Sequence, residues 1–185
     1  MSVNDAKNQT TTFAYNEVDQ LVQTTNPLGQ AKTFSYDLAQ NLLLIVDAKG
    51  QRIEFTYDAA NQLVQKVLKD AVGTIMDTVT FSYDSLGNLA SAADADSSLT
   101  FTHDALGRLT QVATGATVSQ PATTVSYSYD LNGNRLSMTD PQSGVTSYLY
   151  DALNRLTSLT SPQGASTFTY DALSRRTGLT LPNGA

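Results

Sequence analysis

One short unit recurs along almost the whole chain and constrains the fold more than any other feature. An aromatic residue, any residue, a second ring and an acid or amide occur together in eight copies, from "FAYN" at 13–16 to "FTYD" at 168–171. Successive second rings are 21, 21, 26, 20, 26, 21 and 20 residues apart. A nearly fixed period of about 20–50 residues is typical of repeat proteins, whose units bury their apolar faces only by stacking on neighbours.

The aromatic residues of the chain are confined to this unit. Nine Tyr and six Phe, with no Trp, fill fifteen of the sixteen ring positions, and the sixteenth is His103, the only histidine. We therefore interpret His103 as a structural substitute for tyrosine, since nothing in the sequence nominates a nucleophile or metal to work with it. The residues predicted to form the structural repeat motif are Phe13, Tyr15, Phe34, Tyr36, Asp37, Phe55, Tyr57, Asp58, Phe81, Tyr83, Asp84, Phe101, His103, Asp104, Tyr127, Tyr129, Asp130, Tyr148, Tyr150, Asp151, Phe168, Tyr170 and Asp171.

Each unit reads as the end of a strand followed by a turn. Two rings separated by one residue project from the same face of a strand. The Asp that follows, Asn16 in the first copy, accepts hydrogen bonds from N–H groups just ahead and so starts a turn. Gly, Asn or Asp fills six of the eight places four positions past the ring, which predicts a type I turn closed by a residue in the left-handed region. These places are Asp19, Gln40, Asn61, Gly87, Gly107, Gly133, Asn154 and Ser174.

The residues after the turn are less regular. A leucine lies six positions past the ring in six copies; copy eight has Arg176, and copy six is interpreted as holding one extra residue, which moves Leu136 to position seven. Arginine near the turn occurs only in later copies. The leucines are Leu21, Leu42, Leu63, Leu89, Leu109 and Leu156; the arginines are Arg108, Arg135, Arg155 and Arg175, where earlier copies carry Gln20, Asn41, Gln62 and Asn88.

A second strand and a second turn complete the repeat. Turns such as "NPLG" at 26–29 and "SPQG" at 161–164 place Pro and Gly between strands. The two longer gaps hold insertions near Ala71–Met76 and Thr114–Pro121, and no sustained helical period is visible. The predicted fold is all-β, a solenoid-like spiral sheet of about eight stacked β-hairpins. A polar segment at 1–10 precedes one continuous array of eight tandem repeats at 11–185.

Composition narrows the function classes. A net charge of −6 argues against nucleic acid as a partner, and the absence of Cys excludes disulfides and thiolate metal sites. The strongly apolar run Leu42–Val46 is too short to span a membrane, and the polar start is not a secretory signal. No cofactor or metal is expected, because the repeated aspartates do not form a calcium-loop motif. The bland start and abrupt end suggest a piece of a longer protein.

The motif "YDALGRLT", with the variants "YDLNGNRLS" and "YDALNRLT", resembles the YD repeat of the Rhs family. That family includes bacterial Rhs toxins, Tc toxin shell components, wall-associated proteins and teneurins. The resemblance covers about residues 11–184 and implies a β-sheet spiral that winds into a hollow shell, which in bacterial toxins encloses a C-terminal toxic polypeptide. It also implies secretion or display at the cell surface as part of a larger bacterial protein. Neither the family's self-cleaving core region nor a variable toxin is visible in this sequence.

Three functions are weighed. The first is a structural scaffold, a wall segment of an Rhs-type shell whose partners are the rest of the parent protein and its enclosed polypeptide. The alternative is a surface adhesion or carbohydrate-binding module, in which exposed rings stack on glycans and the chains associate end to end, even into filaments. An enzyme is disfavoured, because the seven aspartates occupy one equivalent turn position and are too far apart, roughly 10 Å between copies, to share a proton.

Overall fold

A computed structural model describes residues 1–117 and 120–184. It contains seventeen β-strands and no helix within those residues, so the all-β class predicted from the sequence is confirmed. No helix in the described part is therefore long and apolar enough to cross a membrane. The chain divides into two compact units, Met1–Ser82 with Ala92–Asp96, and Tyr83–Ser91 with Ser97–Ala185.

The first unit is an antiparallel meander in which each strand pairs with the next along the chain. Its strands are β1 (Ser2–Asn4), β2 (Thr10–Tyr15), β3 (Leu21–Thr25), β4 (Ala31–Tyr36), β5 (Leu42–Val46), β6 (Arg52–Tyr57), β7 (Leu63–Lys69) and β8 (Ile75–Tyr83), whose last residue falls in the second unit. The insertion predicted near Ala71–Met76 lengthens the β7–β8 hairpin, since β7 has seven residues and β8 nine.

The second unit repeats this arrangement. Its strands are β10 (Ser98–His103), β11 (Leu109–Thr114), β12 (Thr123–Tyr129), β13 (Arg135–Thr139), β14 (Val145–Tyr150), β15 (Leu156–Ser161), β16 (Gly164–Tyr170) and β17 (Arg176–Thr180), while β9 (Leu89–Ala93) is divided between the units. The insertion predicted near Thr114–Pro121 falls between β11 and β12, and its residues 118 and 119 lie outside the described part.

The turn predicted after each second ring is present in all eight copies. In the second copy the Asp37 N–H donates to the Asn41 carbonyl and the Gln40 N–H donates to the Asp37 carbonyl. The residue four past the ring has a positive φ of 58–88° in every copy, including Gln40 and Ser174. The strand register shifts by one residue at the second ring, so that Tyr36 pairs with Leu42. Each hairpin is thus a type I turn with a bulge.

The turns at the other end of the strands use the same bonds. The Asp47 carboxylate accepts from the N–H groups of Lys49 and Gln51, and Gly50 has a positive φ. The segment 1–10 is not simply a polar extension, because it contains β1 and a turn of this kind around Asp5, with Asn8 in the left-handed region. This segment therefore has the second strand and second turn of a repeat.

Within each unit, the two faces of the sheet differ in chemistry. Ring residues lie on one face, and the residues between them, such as Thr102 and Thr169, are exposed on the other. Among the described residues only Val67 and Tyr148 are buried, at 9% and 7% exposure. The structure therefore has little three-dimensional core, and the contacts between neighbouring strands hold it together.

Candidate functional site

The tyrosine hydroxyls connect neighbouring repeats. In copies two, three, six, seven and eight, the hydroxyl of the second ring donates to the carbonyl of the residue that begins the second strand of the preceding repeat. The pairs are Tyr36 to Leu21 at 2.9 Å, Tyr57 to Leu42 at 3.0 Å, Tyr129 to Leu109 at 2.8 Å, Tyr150 to Arg135 at 3.2 Å and Tyr170 to Leu156 at 2.8 Å. Burial raises the pKa of Tyr57, and the nearby Asp37 carboxylate adds to the effect. These rings therefore bond to the adjacent repeat through their polar ends.

The aspartate after the ring organises the turn with both carboxylate oxygens. In copy seven, Asp151 Oδ1 accepts from the N–H groups of Leu153 and Arg155 at 2.9 and 3.0 Å, while Oδ2 accepts from Arg155 Nε at 2.7 Å. The hydrogen bond from the Arg155 N–H is the main cause of the lowered pKa of Asp151. Partial burial of the carboxyl group acts in the opposite direction but is outweighed. In copy four an asparagine takes the place of the arginine. The Asn88 amide donates to Asp84 Oδ2, and this hydrogen bond is the main cause of the lowered pKa of Asp84.

The side chain five positions past the ring also reaches the next turn. Arg155 Nη1 donates to the Asp171 carbonyl at 3.1 Å, and its guanidinium lies 4.8 Å from the centre of the Tyr170 ring. Arg108 repeats both contacts, donating to the Asp130 carbonyl at 2.7 Å and lying 4.9 Å from the Tyr129 ring. Where this residue and the next left-handed residue are both asparagine, as in Asn41 and Asn61, the amide of the first donates to the side chain of the second. Adjacent turns are thus joined side by side.

Arg135 is not equivalent to the other three arginines, and the interpretation of copy six as holding an extra residue is wrong. Tyr129 pairs with Arg135 as Tyr57 pairs with Leu63, so Arg135 replaces the leucine and Asn134 occupies the arginine place. The Arg135 guanidinium lies 4.5 Å from the Tyr148 ring and donates to the Tyr148 hydroxyl at 3.0 Å. A cation can take the place of a leucine here because aromatic faces attract it.

His103 occupies the ring position of copy five but lacks the hydroxyl. Its side chain is 13% exposed, and its Nδ1 lies 3.8 Å from Asp84 Oδ2. Within the described part that nitrogen is buried and has no hydrogen-bond partner. The flanking Asp104 and Arg108 bond to each other instead, at 2.7 Å. Within the described residues, no nucleophilic side chain is hydrogen-bonded to the imidazole Nδ1.

The predicted motif residues fall into one repeated arrangement. The rings end the first strand of each hairpin, and the seven aspartates begin the turns that follow. Sequence reasoning missed the partners of these residues, which are backbone carbonyls of the preceding repeat and the side chain five positions past the ring. The alternation of Arg with Asn or Gln at that position was a signal, because all three carry an N–H donor.

Other parts of the surface offer little chemistry. Within residues 1–117 and 120–184, no group of three or more His, Asp or Glu side chains is placed to hold a metal ion. A groove of about 660 Å³ in the first unit lies between the first two turns and is lined by Val18, Tyr36 and Leu38, among others. The Asp37 carboxylate beside it is already bonded to its own turn.

Solved structures share this fold. The Photorhabdus luminescens Tc holotoxin pore matches 98% of this chain and 11% of its own chain, with a TM-score of 0.64 and 16% identity. A crystal structure described as TcdB2-TccC3-TEV matches 95% of this chain and 12% of its own, with a TM-score of 0.63 and 15% identity. The present chain thus spans a small part of those chains, and identity this low shows similarity of fold.

Sequence comparisons identify the family. No curated protein matches the chain significantly. The RHS Repeat model matches residues 129–166 and 150–185. The Teneurin YD-shell model matches residues 1–119, which is more than half of the chain. The resemblance to the Rhs and YD repeats is therefore confirmed, and the chain belongs to the YD-shell family of Rhs-type repeat proteins.

Proposed function

We propose that the chain is a wall segment of an Rhs-type shell that encloses or presents a toxin or effector polypeptide. The observation that carries the proposal is the double connection between repeats, through tyrosine hydroxyls and through side chains of the turns. Such connections suit a continuous wall, because they join one hairpin to the next along the chain and do not gather side chains into one site. The similarity of fold to Tc toxin components supports the same reading.

The proposal assigns the chain no catalysis and no cofactor of its own. In copies two and four to eight, both oxygens of the turn aspartate accept hydrogen bonds, as they do in Asp104 and Asp171, which leaves them poorly suited to proton transfer. Its partners are the rest of the parent protein and the enclosed polypeptide, and its location is outside the cell or at the cell surface of a bacterium.

Adhesion through glycans is the second candidate. Tyr15 favours it, because this ring is 46% exposed and its hydroxyl has no hydrogen bond in the described part. The five tyrosines that donate to backbone carbonyls are less suited to stacking on sugars. A glycan array tests the candidate directly: Tyr15-dependent binding would support adhesion, and the absence of binding would remove it.

Protease protection in the parent protein tests the shell proposal. We expect the enclosed polypeptide to resist protease in the native protein. Tyr170→Phe with Arg155→Ala removes the side-chain bonds between repeats seven and eight, leaves the backbone pairing of β15 with β16, and should raise the cleavage rate. The matched control is Tyr15→Phe with Arg175→Ala, the same substitutions at side chains without bonds to another repeat. A native protein whose companion polypeptide is cleaved freely would refute the proposal.

A further inference from the structure

Five leucines form a row along one edge of the second unit, and the fold does not require them there. They lie in successive turns that follow the second rings, four of them three positions past the ring and Leu131 two positions past it, and they expose 65–101% of their surface. We call this row the leucine edge; it consists of Leu86, Leu106, Leu131, Leu153 and Leu173.

Hydrogen bonds and contacts between the turns place the five turns side by side. Arg108 donates to the Asp130 carbonyl, Asn134 to the Asn154 side chain, and Arg155 to the Asp171 carbonyl. At the start of the row, a Cβ on Gly107 would lie 3.2 Å from Asn88 Oδ1, so turns four and five also touch. The five turns therefore form one continuous edge.

The turn itself does not explain the leucines. The Leu153 N–H donates to Asp151 Oδ1, and at the opposite edge of the unit the Gln142 N–H donates to Asp140 Oδ1 in the same way. In the first unit Lys49 occupies the equivalent place beside Asp47. Polar and charged residues are thus compatible with this turn, and their use would avoid an exposed apolar row. Contiguous apolar surface of this kind marks an interaction site.

The charges along the edge indicate the partner. Each turn is counted here from its aspartate to the first residue of the following strand. Turn four carries the carboxylate of Asp84 and no cation. Turn eight carries one carboxylate, Asp171, and two guanidinium groups, Arg175 and Arg176. The three turns between them each contain one Asp and one Arg. The edge therefore has a net charge of −1 at one end, 0 along its middle and +1 at the other end.

We propose that the leucine edge binds the leucine edge of a second copy of this chain, with the two rows antiparallel. In this arrangement the middle turn, which holds Leu131 one position earlier than the other leucines, lies opposite the same turn of the second copy, so all five leucines can engage at once. The antiparallel arrangement places turn four of each copy opposite turn eight of the other and brings opposite charges together. A parallel arrangement would oppose like charges at both ends. Such a contact is isologous and closes with two copies.

Sedimentation equilibrium of the full chain over a concentration series tests the proposal. We expect a monomer–dimer equilibrium. The triple variant Leu106→Gln, Leu153→Gln, Leu173→Gln should raise the dimer Kd by about tenfold or more. The matched control Leu28→Gln with Leu38→Gln removes two exposed turn leucines of the first unit and should leave Kd within about twofold. Circular dichroism checks that each variant retains its β structure.

A charge reversal tests the orientation. Arg176→Glu changes turn eight to a net charge of −1, so it should weaken the dimer. Adding Asp84→Asn should restore part of the affinity, because Asn16 shows that asparagine supports this turn. A wild-type chain that stays monomeric at the highest concentration reached, or a control that weakens the dimer as much as the triple variant, overturns the proposal. A dimer weakened by the leucine changes but unaffected by Arg176→Glu overturns the antiparallel arrangement.

Discussion

Removing one tyrosine hydroxyl tests whether the bonds between repeats stabilise the fold. Tyr57 donates to the Leu42 carbonyl at 3.0 Å from a half-buried position. Tyr57→Phe keeps the ring and its packing but leaves that carbonyl without this donor. A hydrogen bond of this kind contributes about 0.5–1.5 kcal/mol net, and the loss should therefore be about 1 kcal/mol. For a chain of 185 residues this corresponds to a fall in Tm of about 2–4 °C.

The assay is urea unfolding followed by circular dichroism, with Tyr15→Phe as the matched control. Tyr15 is 46% exposed, and its hydroxyl has no hydrogen bond in the described part, so its replacement should change the free energy of unfolding by less than about 0.5 kcal/mol. The slope of the transition should stay the same in both variants, since neither changes the surface exposed on unfolding. Equal effects of the two substitutions would refute the reasoning, because only one of the hydroxyls connects two repeats.

Three further predictions concern the other parts of the repeat. His103→Tyr should stabilise the chain by about 0.5–2 kcal/mol, measured as a rise in Tm, because it removes a buried nitrogen without a partner and restores the hydroxyl of the other copies; a fall in Tm would contradict this. Arg155→Ala should cost about 1–2 kcal/mol in urea unfolding and Arg175→Ala under about 0.5, since Arg155 bonds to the next turn and Arg175 is 74% exposed; equal costs would count against the turn network. Finally, hydrogen bonds from the backbone N–H groups of Arg155 and Arg175 lower the pKa values of Asp151 and Asp171. The two carboxylates stabilise the fold fully above the unfolded-state pKa of about 3.9, and this stabilisation is lost as the pH falls through their lower folded-state pKa values. The urea midpoint should therefore decline below about pH 4. A midpoint that is unchanged at pH 2.5 would contradict the assignment.

Local features of the fold could be predicted from the sequence because they depend on a few adjacent residues. The Asp and the residue three positions beyond it define the turn, and the prediction held even where Gln40 and Ser174 occupy the left-handed position. Those two residues adopt a positive φ in the same turn as the other copies, where their N–H groups donate to the carbonyls of Asp37 and Asp171.

Contacts between repeats could not be predicted, because they depend on strand register. The sequence gives no offset between one hairpin and the next, so the bond from Tyr57 to the Leu42 carbonyl is visible only in the structure. Arg135 illustrates the same limit. Its neighbour Leu136 is the residue type expected at the leucine place of the repeat. The pairing of Tyr129 with Arg135 shows that Arg135, and not Leu136, occupies that place. The strand within 1–10 was missed because its polar residues carry no ring motif.

The scarcity of buried side chains has a consequence for how such a chain can change in evolution. Globular domains resist gain or loss of a segment, because each element fills space against many others. Here a repeat is bonded mainly to the one before it and the one after it, through contacts that recur with the same geometry. Gene duplication or deletion of one period of about 21 residues would therefore join compatible hairpins at the new junction. The number of repeats can drift by whole units, and the size of the assembled protein can be tuned without redesign of any single repeat.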